Sequence, residues 1–278
     1  MREAEPPAER RKMTIDFHTH IFPEKIADRT IAFLSAKSGV RNNTDGTADG
    51  LVSSMDKAGI GLSVVMPVAT KPSQFDSITK YACLVNEKYA GRLFSFGGIH
   101  PYSENYKQEL RIIKENGLKG IKLHPDYQDF FIDDIRAKRL IYEASALGLI
   151  ITVHAGRDIG YGDPVHCPPE RSLEVLKEVR PEKLVLAHMG GWEQWDAVEE
   201  LLCGRNVRLD TAFCLEYMSK DRLKSIVAKH GAERILFATD SPWSRQDEYL
   251  RRIRELFPDD TEFNAITGGN AESLLNGD

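Results

Sequence analysis

The feature that most constrains the fold is an alternation of short, apolar, β-rich runs with stretches of helical periodicity along nearly the whole chain. This alternation is typical of βαβ units, which place their strands in one parallel sheet. Eight such runs predict closure of that sheet into a barrel. The runs lie at residues 14–20, 62–68, 93–100, 120–125, 150–156, 183–190, 207–213 and 235–241.

We therefore predict a single-domain (β/α)8 TIM barrel, an α/β fold, over residues 13–278, with residues 1–12 as a flexible N-terminal tail. An open doubly wound sheet is the alternative, but it usually carries a Gly-rich phosphate turn after its first strand, and the sequence has none there. Helices are predicted at about 48–59, 75–90, 103–116, 132–148, 170–179, 192–203, 219–230 and 246–256.

Charge and cysteine content limit the classes of function. The net charge of -5 gives no basic surface for nucleic acid or an anionic membrane, and no apolar run approaches the roughly 20 residues that span a bilayer. Residues 1–12 lack the apolar segment of a secretion signal. Four scattered cysteines without a CxxC pair indicate reduced thiols, so we expect a soluble, cytoplasmic protein. Because the charge gives no surface for nucleic acid or a membrane, the expected partner is a small-molecule substrate.

Five of the eight runs carry a metal-competent polar side chain at or near their C-terminal end, which core packing does not explain. Because side chains alternate faces along a strand, His18 and His20 point to the same side. A barrel brings the carboxyl ends of its strands around one axis, where TIM barrels build their active sites. The side chains concerned are His18, His20, His124, His154, His188 and Asp240.

Three neutral imidazoles and one carboxylate predict a site for one divalent metal ion, with His18, His20, His154 and Asp240 as ligands. Such a site retains about one positive charge and lowers the pKa of bound water. Zinc is the default metal, although Mn, Fe and Co also suit these donors. His188 is not needed for coordination, so we assign it acid-base chemistry or polarisation of the substrate.

Six ordered motifs resemble a known family. They are IDFHTH at 15–20, GLKGIKLHP at 117–125, VHAG at 153–156, LAHMGG at 186–191, ILFATDSPW at 235–243 and ITGGNAESLL at 266–275. The pattern resembles the amidohydrolase superfamily, specifically its amidohydrolase-2 branch, which includes relatives of aminocarboxymuconate-semialdehyde decarboxylase. The resemblance implies the same four metal ligands, His188 as the catalytic histidine, and a second role for Asp240 as a proton shuttle. It also suggests a homodimer.

Lys122 and His124 have more than one interpretation. Other branches of the superfamily use a strand-4 lysine, carbamylated, to bridge two metals, but the branch resembled here usually holds one metal. We therefore treat Lys122 as pocket lining or part of a buried ion pair. His124 either binds a substrate anion or forms hydrogen bonds at the barrel mouth. Candidates for shaping a substrate pocket are Arg157, Asp158, Tyr161, Trp192 and Trp243, whereas His166 and His230 resemble loop or surface residues.

The leading functional hypothesis is hydrolysis of a small molecule, with a metal-activated water attacking a carbonyl and Asp240 and His188 moving protons. The alternative is nonoxidative decarboxylation of a small carboxylated substrate, since the resembled branch includes both reactions. A third hypothesis is a metal-stabilised binding protein without turnover, which would predict a closed metal shell.

Overall fold

The eight predicted runs form the strands of one parallel β/α barrel in the computed structural model, which describes residues 13–277. The predicted tail at residues 1–12 lies outside the described residues. The strands are β1 (Ile15–Thr19), β2 (Leu62–Val65), β3 (Leu93–Ser95), β4 (Gly97–Gly98), β5 (Gly120–Leu123), β6 (Ile150–Val153), β7 (Leu184–Leu186), β8 (Arg208–Asp210) and β9 (Ile235–Leu236).

The third predicted strand is interrupted at Phe96, which divides it into β3 and β4. The strands therefore form two hydrogen-bonded sets, β1 to β3 and β4 to β9, each in sequence order and parallel. Backbone bonds close the circle between the first and last strands. The N–H of Phe17 donates to Phe237 O over 2.9 Å, and the N–H of Asp240 donates to His18 O over 2.9 Å.

Helices follow the strands at the predicted places, and three regions contain helices that were not predicted. The segment 21–47, before the first predicted helix, contains a 15-residue helix, a four-residue helix follows β5, and two further helices follow residue 256. The helices are α1 (Glu24–Ser38), α2 (Ala48–Ala58), α3 (Phe75–Lys88), α4 (Tyr106–Glu115), α5 (Pro125–Gln128), α6 (Ile135–Ala146), α7 (Pro169–Glu178), α8 (Trp195–Leu201), α9 (Lys220–His230), α10 (Gln246–Leu256), α11 (Asp260–Asn264) and α12 (Asn270–Asn276).

The apolar core has two parts. The larger part packs strand side chains such as Ile121 and Leu123 against the surrounding helices. The smaller part joins side chains of several strands, among them Phe17, Val64 and Ile150, and includes Leu274 of α12. Charged and polar side chains gather instead where the strands end, so the barrel supports a polar site on an apolar base.

An irregularity in β1 affects how its histidines are presented. The pairing of β1 with β2 shifts register between Asp16 and Thr19, as at a β-bulge. Phe17 lies in the smaller core cluster, whereas the Asp16 carboxylate accepts a 2.7 Å hydrogen bond from Gln246 Nε2 at the start of α10. Bulges commonly redirect a side chain beside an active site, and His18 lies within this register shift.

Among residues 13–277, no helix combines the length and the apolar character needed to cross a bilayer.

Candidate active site

Three of the four predicted metal ligands meet at the carboxyl ends of the first and last strands. His18 Nε2 lies 3.2 Å from His20 Nε2 and 3.3 Å from Asp240 Oδ1, and His20 Nε2 lies 3.1 Å from the same carboxylate oxygen. His18 is fully buried, while His20 and Asp240 keep a small exposed fraction. The site is thus enclosed but reachable.

Hydrogen bonds on the opposite ring edges fix the tautomers of both histidines. His18 Nδ1 lies 2.9 Å from Asp210 Oδ2, and His20 Nδ1 lies 2.8 Å from the carbonyl oxygen of Met66. Both partners only accept hydrogen bonds, so each Nδ1 carries a proton and donates it. In the neutral rings, each Nε2 therefore presents a lone pair to the other two atoms of the cluster. Metal-ligating histidines are commonly fixed in this way, by an acceptor that binds the N–H of the other ring nitrogen.

This cluster fits a divalent cation. With both rings neutral, two imidazole lone pairs and a carboxylate oxygen face one another within 3.3 Å, a set of donors that a divalent cation would satisfy; the Lys122 ammonium reaches only one of them, His18 Nε2. Tetrahedral zinc with ligand bonds of 2.0–2.1 Å separates its ligand atoms by about 3.3 Å. Burial, followed by the charge of Lys122, lowers the pKa of His18 to about 4, so the ring stays neutral and able to bind metal.

Lys122 supplies a positive charge at the edge of this cluster. Its Nζ lies 2.8 Å from His18 Nε2, and its side chain is almost completely buried. Burial lowers the pKa of Lys122 to about 8, against the opposing effect of Asp210 and Asp240. The lysine therefore lies against the predicted metal ligands, and its role as pocket lining or as part of a buried ion pair stays a prediction.

His188 is held by its own hydrogen bonds, separately from the three-atom cluster. Its Nδ1 donates to Ala212 O over 2.8 Å, and its backbone N–H donates to Asp210 Oδ1 over 2.9 Å. Both His188 and Asp240 adopt left-handed backbone conformations, with φ of 58° and 62°. Non-glycine residues in this region are costly and concentrate at functional sites, so these two positions carry that signature.

His154, the fourth predicted ligand, lies next to His188 but outside the three-atom cluster. Since His188 Nδ1 donates to a carbonyl, His188 Nε2 accepts the hydrogen bond from His154 Nδ1 over 2.9 Å. His154 Nε2 is buried and has no hydrogen-bond partner among the described residues. The atom is therefore free to bind a cation or a ligand, although the structure groups it with His124 and Asp158.

Asp210 is a site residue that sequence reasoning missed. It is fully buried and accepts hydrogen bonds from His18 Nδ1, from the backbone N–H of His188 and from that of Ala212. Burial acts to raise the pKa of Asp210, but its interactions with His18, including the hydrogen bond, and with His188 and Lys122 outweigh burial and hold the pKa below its usual value. The sequence did carry a signal for Asp210, because this residue ends strand β8 just as the predicted site histidines lie at the ends of their strands.

The predicted pocket-shaping residues divide between the site and the surface. Trp192 is buried, and its Nε1 donates to Phe213 O over 3.2 Å. The Nζ of Lys37 lies 3.3 Å from the centre of the Tyr161 ring. Arg157 instead forms a partly exposed ion pair with Asp163. Trp243 donates its backbone N–H to Asp240 O over 2.9 Å, so it supports a site residue.

Solved structures share this fold along almost their full length. An uncharacterised TIM-barrel protein from Bordetella bronchiseptica is 18% identical, with a TM-score of 0.76, and the alignment covers 95% of this chain and 98% of that one. The 5-carboxyvanillate decarboxylase LigW from Sphingomonas paucimobilis is 15% identical, with a TM-score of 0.71 and coverage of 95% and 99%. A dihydroxybenzoic acid decarboxylase from Polaromonas sp. JS666, with bound manganese and 2-nitroresorcinol, is 17% identical, with a TM-score of 0.72 and coverage of 95% and 97%.

Comparison by sequence finds a family but no curated relative. No curated protein matches the chain. The family model described as Amidohydrolase, of the amidohydrolase-2 type, matches residues 15–277. This range contains every strand of the barrel and every side chain of the site. The protein therefore belongs to the amidohydrolase-2 family.

Proposed function

We propose that the protein is a metal-dependent, nonoxidative decarboxylase of a small carboxylated substrate. The observation that carries the metal dependence is the meeting of His18 Nε2, His20 Nε2 and Asp240 Oδ1 within 3.3 Å. A divalent metal bound there would attract a substrate carboxylate and stabilise negative charge that develops during the reaction. The decarboxylases of Sphingomonas and Polaromonas share the fold, and they make decarboxylation our preferred reaction over hydrolysis.

His154 is the proposed fourth ligand, because its unpartnered Nε2 is the remaining buried imidazole lone pair of the site. Zinc stays our prediction for the metal, and manganese is the first alternative, since the Polaromonas decarboxylase contains it. Two or three imidazoles with a carboxylate suit either ion, so cellular supply can decide between them.

Decarboxylation breaks the bond between the carboxylate carbon and its neighbouring carbon, leaves the electron pair on that neighbour and requires one proton there. We assign delivery of this proton to His188. Its ring is fixed through Nδ1 by Ala212 O, and its Nε2, which contacts His154 Nδ1, would gain and release the proton once the His154 ring turns to bind the metal. Asp240 is the proposed second proton carrier, because its carboxylate faces the same cluster.

Hydrolysis is the competing reaction. A probable 2-pyrone-4,6-dicarboxylic acid hydrolase from Acinetobacter baumannii has the same fold, with 15% identity and a TM-score of 0.67. In that reaction His188 and Asp240 would take a proton from water rather than deliver one to carbon. A binding protein without turnover is less favoured, because the costly backbone conformations of these two residues are typical of active sites.

The test is a reaction screen with metal-loaded protein and a panel of hydroxylated aromatic carboxylates and dicarboxylates in water enriched in ¹⁸O. We expect CO₂ release with one solvent proton added to the product carbon. Incorporation of ¹⁸O into a product without CO₂ would establish hydrolysis instead. The control is His188→Asn, which should keep its metal content and lose turnover; a loss of metal would make His188 a ligand.

A further inference from the structure

The backbone at His188 passes through three consecutive left-handed residues. The angle φ is 58° at His188, 53° at Met189 and 83° at Gly190. Only the last of these is a glycine, for which the left-handed conformation carries no steric penalty. The other two are costly and persist only where surrounding contacts stabilise them. The contacts that fix this turn therefore also determine where the His188 ring lies.

Two of these contacts come from the end of β8 and the residues after it. The backbone N–H of His188 donates to Asp210 Oδ1 over 2.9 Å, and its ring Nδ1 donates to Ala212 O over 2.8 Å. Neither contact involves the carbonyl group of His188, which leads into the left-handed stretch. His188 is only 4% exposed, and buried carbonyl groups are almost always hydrogen-bonded. This carbonyl therefore needs a donor of its own.

Trp195 supplies that donor. Its Nε1–H donates to His188 O over 3.1 Å, within the range of a good hydrogen bond. The backbone N–H of Gly191 also faces this oxygen, but at 3.4 Å it lies beyond that range. Trp195 is the first residue of α8, and its side chain packs against the larger core cluster. The indole N–H is thus held in place by the core.

The same helix also packs directly against the turn. A Cβ built on Gly190 would lie 3.1 Å from Cγ1 of Val198, which follows Trp195 by three residues in α8. Helix α8 therefore contacts the turn through an apolar side chain and a hydrogen-bond donor. The apolar contact limits the space available to the turn, whereas the hydrogen bond fixes the direction of its first carbonyl group.

The position of the His188 ring is sensitive to this turn because the ring lies among the predicted metal ligands. Its centroid is 4.6 Å from that of His154 and 5.6 Å from that of His18. Relaxation of the left-handed backbone would redirect the Cα–Cβ bond and move the ring relative to both. Misplacement of a catalytic group by about 1 Å can cost on the order of 100-fold in rate.

We propose that Trp195 is a positioning residue for His188, and that its indole N–H stabilises the left-handed turn from which the imidazole reaches the site. Trp195 acts through the backbone of His188 and not on the substrate. The inference rests on the proposed function for the proton that His188 transfers. Its structural part, the dependence of the ring position on one hydrogen bond, can be measured without a substrate.

The first measurement is NMR of zinc-loaded protein with ¹⁵N-labelled histidines, in which His188→Asn identifies the His188 signals. The wild-type ring should give one set of signals with the proton on Nδ1, whereas Trp195→Phe should give a second or exchange-broadened set. Ile113→Val is the control for general destabilisation and should leave the His188 signals unchanged. Ile113 is a fully buried residue of α4, between β4 and β5, and loss of one methylene group there costs about as much as one hydrogen bond.

A second replacement at position 195 separates the hydrogen bond from packing. The amino acid 3-benzothienylalanine has the shape of tryptophan with sulfur in place of the indole N–H, and it can be introduced at a single codon. It should change the His188 signals as Trp195→Phe does, although it fills the same space. Unchanged signals in this variant would overturn the proposal, even where Trp195→Phe changes them or fails to fold.

The third measurement is turnover of a substrate found in the reaction screen. Both replacements of Trp195 should lower kcat about 2- to 10-fold, the equilibrium effect of one lost buried hydrogen bond, and leave KM and zinc content unchanged. Ile113→Val should keep the wild-type kcat. Altered His188 signals with a wild-type kcat would overturn the role in the reaction. Altered signals in a protein that turns over no substrate of the panel would support the positioning of His188 while the proposed function fails.

Discussion

Replacement of Asp210 by asparagine should weaken metal binding while preserving the fold. The Oδ1 atom of Asp210 accepts from the backbone N–H groups of His188 (2.9 Å) and Ala212 (3.1 Å), and Oδ2 accepts from His18 Nδ1 (2.9 Å). An asparagine of the same shape keeps one oxygen for the two backbone donors. Its NH₂ group would face the N–H of His18, donor against donor.

The His18 ring can relieve this conflict only by moving its proton from Nδ1 to Nε2 or by rotating away. Either change removes the lone pair that the metal requires. Loss of such an orienting acceptor typically costs 10- to 100-fold in metal affinity, or about 1.4 to 2.7 kcal/mol. Alanine is a poorer choice at this position, because three buried donors left without an acceptor would cost about 1 to 3 kcal/mol each and threaten folding.

The assay is competition for Zn²⁺ or Mn²⁺ against a chromophoric chelator, with circular dichroism and the Tm of metal-free protein measured in parallel. Asp16→Asn is the matched control. Asp16 is also fully buried, but it accepts from Thr239, from Gln246 and, over 3.4 Å, from the backbone N–H of His18, and within residues 13–277 it has no hydrogen bond to an imidazole ring. Wild-type metal affinity in Asp210→Asn, or an equal loss in both variants, would refute the tautomer argument.

Three further predictions concern the fold. Gly156→Ala should lower the Tm strongly, because φ is 86° and a Cβ would lie 2.0 Å from Trp192 N, whereas Gly162→Ala, with open space around it, should change the Tm little. Ile121→Ala, at a fully buried strand position, should lower the free energy of unfolding in urea by about 2 to 5 kcal/mol. Burial lowers the pKa of His230, so near and below about pH 6.5 the unfolded chain binds more protons than the folded one. The free energy of unfolding should therefore fall as the pH falls from about 7.5 to 5.5. Urea titrations of His230→Gln over this range should show a shallower decline.

The strand order and the barrel were predictable because apolar runs of β-branched residues are a strong local signal. The helix α1 was not, since only Ala27 and Ile31 of its residues are buried and it lacks a wide apolar stripe. The prediction that His230 lies in a loop or at the surface was wrong. His230 ends α9 among charged neighbours, yet it is 1% exposed and donates from Nε2 to Val207 O over 2.8 Å. Because charged residues flank His230 in the sequence, they do not reveal that the end of this helix packs inward.

The site shows the same division between what residue identity reveals and what only the fold determines. Histidines at strand ends are visible in the sequence, and His18, His20 and Asp240 do converge. Whether an imidazole presents a lone pair or an N–H depends on its other nitrogen. That nitrogen contacts Met66 O for His20 and Ala212 O for His188. Backbone groups carry no residue identity, so a single sequence can nominate the histidines of this site but cannot assign the ligand and acid-base roles among them.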